Sequence, residues 1–226
     1  MKKTITLAAW AAVSLVACDQ APKGDKATVT NEQTAATPTS GQSYTVDTTE
    51  STVRFNGFGV GKNHPGKFKV SEGTVAVANN AITGGQFTID IKSMRMEEEG
   101  QMIETQLRPH LLSGDFFDAD KFGTATFEIT KVEPYQANGK DTSLVEGANF
   151  NVSGNLKLKE VTKNITFPAR IDLDGNTLKA KANFDIDRRQ WQMAYGNDKT
   201  LGNKFISETV NIQLNLSAKA SGVAAR

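Results

Sequence analysis

Across 226 residues the chain carries 26 basic against 25 acidic side chains, a formal charge of +1, so no field over the whole molecule would draw it to nucleic acid or to an anionic surface. One cysteine, Cys18, and two histidines, His64 and His110, rule out an intramolecular disulfide and argue against a conventional zinc site, which needs several thiolates or imidazoles. Val, Ile, Thr and Phe make up the apolar stretches amid 19 glycines, a composition of strands joined by tight turns.

The chain opens with Lys2 and Lys3, then an apolar run from Ile5 to Ala17 interrupted only by Thr6 and Ser14. This pattern predicts a secretory signal peptide over residues 1–17, too short and wrongly flanked to be a membrane span. Leu15-Val16-Ala17-Cys18 resembles the lipobox of bacterial lipoproteins. That resemblance implies a lipid on Cys18, anchorage to an envelope membrane and a periplasm-facing chain. Asp19 resembles an inner-membrane retention signal, but which membrane holds the anchor stays open. Residues 18–43 hold no large apolar side chain beyond Val29 and are rich in Thr, Ala, Gln and Pro; they read as a flexible tether.

From Tyr44 the pattern changes to alternation. Val53 and Phe55, then Val75 and Val77, then Phe87, Ile89 and Ile91, then Phe127 and Ile129 mark successive strands. The later runs are longer. Phe150, Val152, Leu156 and Leu158 share a face, as do Ile165, Phe167, Ala169, Ile171 and Leu173, then Leu178, Ala180, Ala182, Phe184 and Ile186, then Val210, Ile212, Leu214 and Leu216. Side chains change face at every residue of a strand, so each run has one dry and one wet side. Asp174-Gly175-Asn176 and Ala137-Asn138-Gly139 are hairpin turn signals. A domain over residues 44–219, followed by a short tail at 220–226, is expected to be all-β: about eight antiparallel strands arranged as a sandwich or an up-and-down barrel. Long strands with a single dry face favour the barrel. One segment breaks the rhythm. Glu97 to Leu112 spaces Met102, Ile103, Leu107, Leu111 and Leu112 as a helix does, predicting a short helix between strands, interrupted or ended near Pro109.

Three stretches taken together resemble the YceI-like family, lipocalin-like domains associated with polyisoprenoid and other lipid binding. The first is Tyr44-Thr45-Val46-Asp47 with Ser51-Thr52-Val53-Arg54-Phe55 and a His64-bearing turn over residues 61–68. The second is His110 to Asp118, leading through Lys121-Phe122 to Ala125-Thr126-Phe127-Glu128. The third is Val152 to Pro168, continued by Asp187-Arg188-Arg189-Gln190-Trp191. Gly114 stands where the family more usually has proline. The resemblance implies an elongated antiparallel barrel beside a helix, with an apolar cavity for a polyisoprenoid, isoprenoid quinone, fatty acid or fatty amide. No other cofactor is implied, no enzymatic activity is expected, and oligomeric state stays open.

Phe55, Phe87, Phe127, Phe150, Phe167 and Phe184, with Ile89 and Val152, are the candidate cavity lining, and Trp191 is placed at its mouth with Tyr195. The alternation alone leaves open whether these rings line a channel or fill a core. Arg54 and Arg188, with His64, are candidates for a polar head group, since guanidinium forks oxygen anions bidentately; Arg95 and Arg108 are lesser ones. His64 lacks a recognisable nucleophile motif around it, and Asp115 and Asp118 read as a loop that caps the helix and inserts Phe116 and Phe117 into the core. The rival to a lipid carrier is a solid barrel whose loops bind an envelope partner.

Overall fold

The structure is a computed structural model that describes residues 23–37, 41–137 and 142–222. The leader, Cys18, Asp19, the Asn138-Gly139 turn and the end of the expected tail lie outside the described residues. Eleven strands form one sheet: β1 (Asp25–Lys26), β2 (Thr28–Asn31), β3 (Gln42–Val46), β4 (Thr52–Gly59), β5 (Lys62–Ala78), β6 (Ala81–Met96), β7 (Thr124–Pro134), β8 (Phe150–Leu158), β9 (Val161–Asp174), β10 (Thr177–Asp187) and β11 (Ile206–Ala220). From β4 to β11 each strand pairs antiparallel with the next, and β11 returns to β3 and β4. Because β3 and β4 both pair with β5 and with β11, they share one position. The result is a closed eight-strand antiparallel barrel.

Alternation sets the wall. In β9 the buried apolar positions are Ile165, Phe167, Ala169 and Ile171, and in β10 they are Leu178, Ala182, Phe184 and Ile186, as one dry face per strand requires. β5 and β6 run 17 and 16 residues, longer than single staves need. Their pairing slips between Lys67 and Lys69, Val70 and Glu72, and Ala76 and Val77; such bulges let long strands coil around a barrel. The Asp174–Thr177 hairpin closes as predicted, with Gly175 at φ 51°.

The expected helix forms between β6 and β7. A π-turn over Ile103–Leu107 runs into α1 (Arg108–Leu112). Pro109 at the start of α1 has no N–H to donate to the preceding turn, a sufficient reason for the irregularity just before it. Ser113 ends the helix, and Phe116 is buried behind it.

The tether expectation needs correction. β1 runs parallel to β10 through Asp25↔Phe184 and Lys26↔Asp185, and β2 runs antiparallel to β9 from Thr28↔Thr166 to Asn31↔Lys163. β9 and β10 pair with each other only from the Asp174↔Thr177 end to Ala169↔Ala182. Beyond that point they diverge, and residues 25–31 form a strap that fills the gap. Ala27 is buried in the core and its N–H donates to the Asp185 carbonyl at 3.1 Å. Outward-facing polar side chains complete the seat. Gln33 N–H donates to Asn155 Oδ1 at 3.0 Å, Asn155 Nδ2 donates back to the Gln33 carbonyl at 2.7 Å, and Gly24 N–H donates to Asp185 Oδ1 at 3.0 Å. A side chain at position 24 would meet Asn211 and the Phe184 backbone at 2.6 and 2.7 Å, so glycine is required by close approach. The strap escaped sequence reading because backbone pairing, unlike apolar burial, asks for no particular side chains.

Candidate functional site

The barrel interior holds a cavity of about 280 Å³, near the lower end of the roughly 300–1,000 Å³ of small-molecule sites. Its wall is almost wholly apolar and draws on every stave. Phe55, Phe87, Ile89, Phe127, Val152, Phe167 and Phe184 all line it. Ile91 of the same alternating run, Leu107 and Leu111 of the helix, and Phe116 and Phe117 behind it join them, as do Phe68 and Met193, which sequence did not single out. The end near the β4–β5 hairpin is open, since Val60 both borders the cavity and is 62% exposed.

Several of the phenylalanine rings around this lumen occupy space that a side chain on the neighbouring strand would fill. A Cβ added at Gly66 would sit 2.4 Å from the Phe55 ring, one at Gly154 would sit 2.2 Å from Phe127, and one at Gly73 would sit 2.8 Å from Phe87. Each glycine occupies an inward position on the neighbouring strand, with Phe55 opposite Gly66 and Phe87 opposite Gly73. Glycine inside a strand marks such a close approach, and it gives the ring room beside the neighbouring strand's backbone. The rings then touch in series around the wall: Phe87 and Phe127 at 6.3 Å, Phe127 and Phe167 at 5.9 Å, and Phe167 stacked on Phe184 at 4.0 Å. Val152-Ser153-Gly154-Asn155-Leu156 carried the signal, a glycine at an inward step of an otherwise apolar face.

Two expected lining residues sit elsewhere. Phe150 packs against the core without bordering the cavity. Trp191, at 0% exposure, follows β10 in a 3-10 turn (Arg188–Trp191), and its Nε1–H donates to the Leu156 carbonyl at 3.1 Å. It is held in the core against β8 and does not border the cavity, so its amphipathic ring serves packing and not the mouth.

The polar candidates divide similarly. Arg54 is exposed on the outer face and pairs with Glu97. Arg95 is exposed, and Arg108 donates to the Met94 and Lys92 carbonyls. Arg188 does border the cavity, but its donors are committed to the carbonyls of Ser207, Tyr195 and Ile206 at 2.8, 2.8 and 2.9 Å, and to that of Met193. It also lies 5.6 Å over the Phe116 ring. Burial pushes its guanidinium below the ordinary arginine value, although Asp187 and Glu208 act the other way. The group clasps the loop between β10 and β11 and has little left to offer a ligand.

His64 lies on β5, three residues past the tight Val60-Gly61 turn, and borders the cavity. Both ring nitrogens face acceptors: Nδ1 is 2.6 Å from Glu98 Oε2 and Nε2 is 3.2 Å from the Gly59 carbonyl. Burial raises the Glu98 carboxyl, but hydrogen bonds from Lys62 and His64 outweigh it and leave the group below the ordinary glutamate value. His110, on α1, approaches Asp115 at 2.9 Å and meets the rings of Phe116 and Tyr195 edge-on at 5.2 and 4.7 Å. Asp118 pairs instead with Lys121, so Asp115 and Asp118 do not act as a carboxylate pair.

A YceI-like domain model matches residues 44–218. The chain belongs to the YceI-like family. UPF0312 proteins of Vibrio parahaemolyticus and Pseudomonas paraeruginosa are 34% and 35% identical to it over 100 residues, 41% of this chain. The chain spans about half the length of these curated relatives, 48% and 47%. Among solved structures, BcnA of Burkholderia cenocepacia superposes with a TM-score of 0.59 at 22% identity, covering 77% of this chain and 99% of that one. A polyisoprenoid binding domain from Saccharophagus degradans, described as implicated in plant cell wall breakdown, gives 0.57 at 18% identity, covering 79% and 98%. These two likenesses establish a shared fold.

Proposed function

We propose that this YceI-like chain is an envelope lipoprotein that holds the apolar tail of an amphiphile in its barrel, for sequestration or transport, without covalent chemistry. The observation that carries this reading is a cavity kept open by phenylalanine rings laid over Gly66, Gly73 and Gly154. A solid scaffold has no use for that arrangement, because filling the lumen would add dispersion contacts. The polyisoprenoid-binding name of the Saccharophagus relative points the same way. Since the Arg188 donors are taken by backbone carbonyls, a neutral polar end such as an alcohol, quinone or amide suits the site better than a phosphate or carboxylate.

The lipobox-like Leu15-Val16-Ala17-Cys18 supports anchorage through Cys18, and the strap then shortens the leash. Only Asp19 to Lys23 separate Cys18 from Gly24, a span of about 20 Å at full extension. The barrel is thereby kept beside its own bilayer, which favours local loading and release. Organic extraction of the chain purified from its native host, followed by mass spectrometry, is expected to yield one lipid per chain. Repeated extractions that yield none, together with failure to take up a long-chain alcohol, would falsify the reading.

A further inference from the structure

The strap lies outside the 44–218 family domain, yet it packs into the core beside the cavity, through Ala27 and Val29. β9 and β10 stop pairing at Ala169↔Ala182, and the next inward residues on each, Phe167 and Phe184, border the cavity with stacked rings. Behind that level the gap between β9 and β10 is bridged by strap backbone, with Ala27 its one buried side chain and Val29 half-buried beside it. The open end is crossed by rings that hold one another, Phe68 on Phe117 and His110 on Phe116 and Tyr195, so widening it means moving several packed groups together.

We propose that the strap is a detachable stave, and that an amphiphile enters and leaves the cavity sideways through the β9–β10 seam when the strap lifts. Local opening selects segments with few buried apolar contacts and exposed backbone hydrogen bonds; the strap meets both conditions while covering the lumen. When it lifts, the stacked Phe167 and Phe184 rings that wall the cavity at this level lose their outer backing, and a long chain can part them and slide in broadside. When it reseats, backbone pairing to Thr166 and Asp185 restores the wall. This inference rests on the cavity reading given above.

A disulfide lock tests it. Thr28 and Thr166 are direct antiparallel partners on the outer face, at a spacing of roughly 4.5–5.5 Å that a disulfide can span. The chain beginning at Asp19 keeps all the barrel and strap contacts described and lacks Cys18, so a Thr28→Cys/Thr166→Cys variant of it holds only the engineered pair. Exchange of a pyrene-labelled long-chain alcohol is followed in the oxidised and reduced forms of the same preparation. Oxidation is expected to slow uptake and release by roughly tenfold or more, because the opening step is removed, while Ala27→Asp, which drives a carboxylate into the buried seat, is expected to speed both. Equal rates in the oxidised and reduced forms would overturn the seam as the route and leave the cavity reading standing. Absence of uptake by the reduced form would instead overturn the cavity reading, and the seam with it.

Discussion

Replacing Gly154 by alanine tests whether the lumen owes its openness to rings laid over glycines. The new Cβ would stand 2.2, 2.7 and 2.7 Å from three atoms of the Phe127 ring, well inside van der Waals contact, so the ring must swing inward. In a strand, glycine itself costs roughly 0.5–1 kcal/mol relative to alanine, and overpacking costs about 1–3 kcal/mol. The expected balance is a net loss of about 1–2 kcal/mol, a fall in melting temperature of roughly 2–8 °C for a domain of this size. The functional effect should be larger, since Phe127 touches Phe87 and Phe167 and its displacement narrows the channel at that level. Binding of a pyrene-labelled long-chain alcohol, measured with the thermal melt, is expected to weaken by at least about tenfold, the equivalent of two or so lost methylene contacts. Gly114→Ala serves as the control, because nothing lies within 4 Å of a Cβ there. Adding Phe127→Leu to Gly154→Ala should restore both readouts by removing the clash. If Gly154→Ala binds the alcohol as the parent does, the ring-over-glycine account of the cavity is wrong.

Arg188→Met should act on stability and not on head-group recognition: four carbonyls lose a charged donor, and at up to about 3 kcal/mol lost the melting temperature should drop by roughly 6–12 °C; weaker ligand binding with an unchanged melt would return Arg188 to the ligand. Glu98 sits below its ordinary value of 4.5 in the folded chain, so its contribution is fully present above that pH and is lost as pH falls through the lower, folded value. Acid titration of stability should therefore show the difference between parent and Glu98→Gln shrinking below about pH 4.5, and a constant difference down to the acid transition would contradict the Lys62–Glu98–His64 linkage. Cys18→Ser in the native host should abolish membrane residence while the released chain keeps its affinity for the alcohol; fractionation that leaves it with the membranes would remove the case for a lipid anchor.

What the sequence made legible follows from how each feature is stabilised. Stave positions are held by apolar burial on one face, and burial writes a period of two into the residues, so Ile165 to Leu173 or Leu178 to Ile186 announce themselves. The long β5 was harder to read, because bulges at Lys67, Val70 and Ala76 shift its phase and break the alternation that a straight strand would show. Trp191 and Arg188 were visible as residues of interest but assigned the wrong partners. An indole N–H and a guanidinium can each be satisfied by main-chain carbonyls, which leave no mark on the sequence. The same cause hid the strap, whose threonines, asparagine and glutamine look like solvated linker until their backbone is seen paired to β9 and β10.

The strap's energetics explain why it can be both present and provisional. Residues 24–36 are held by one buried alanine, one half-buried valine, a ladder of main-chain bonds, and side-chain bonds that join Asn155 to Gln33, Asp185 to Gly24, and Asp25 to Ser143 and Leu144. Hydrogen bonds of that kind return only about 0.5–1.5 kcal/mol apiece, so the segment lies far closer to balance than any stave of the barrel. A chain that needed only a leash would gain nothing by seating it. A chain that must keep water from a lipid's flank and yet release that lipid needs a wall element whose stability is small. The position of the strap behind Phe167 and Phe184, a few residues from the proposed anchor, puts a weakly held backing of the wall within reach of the bilayer that would supply the ligand.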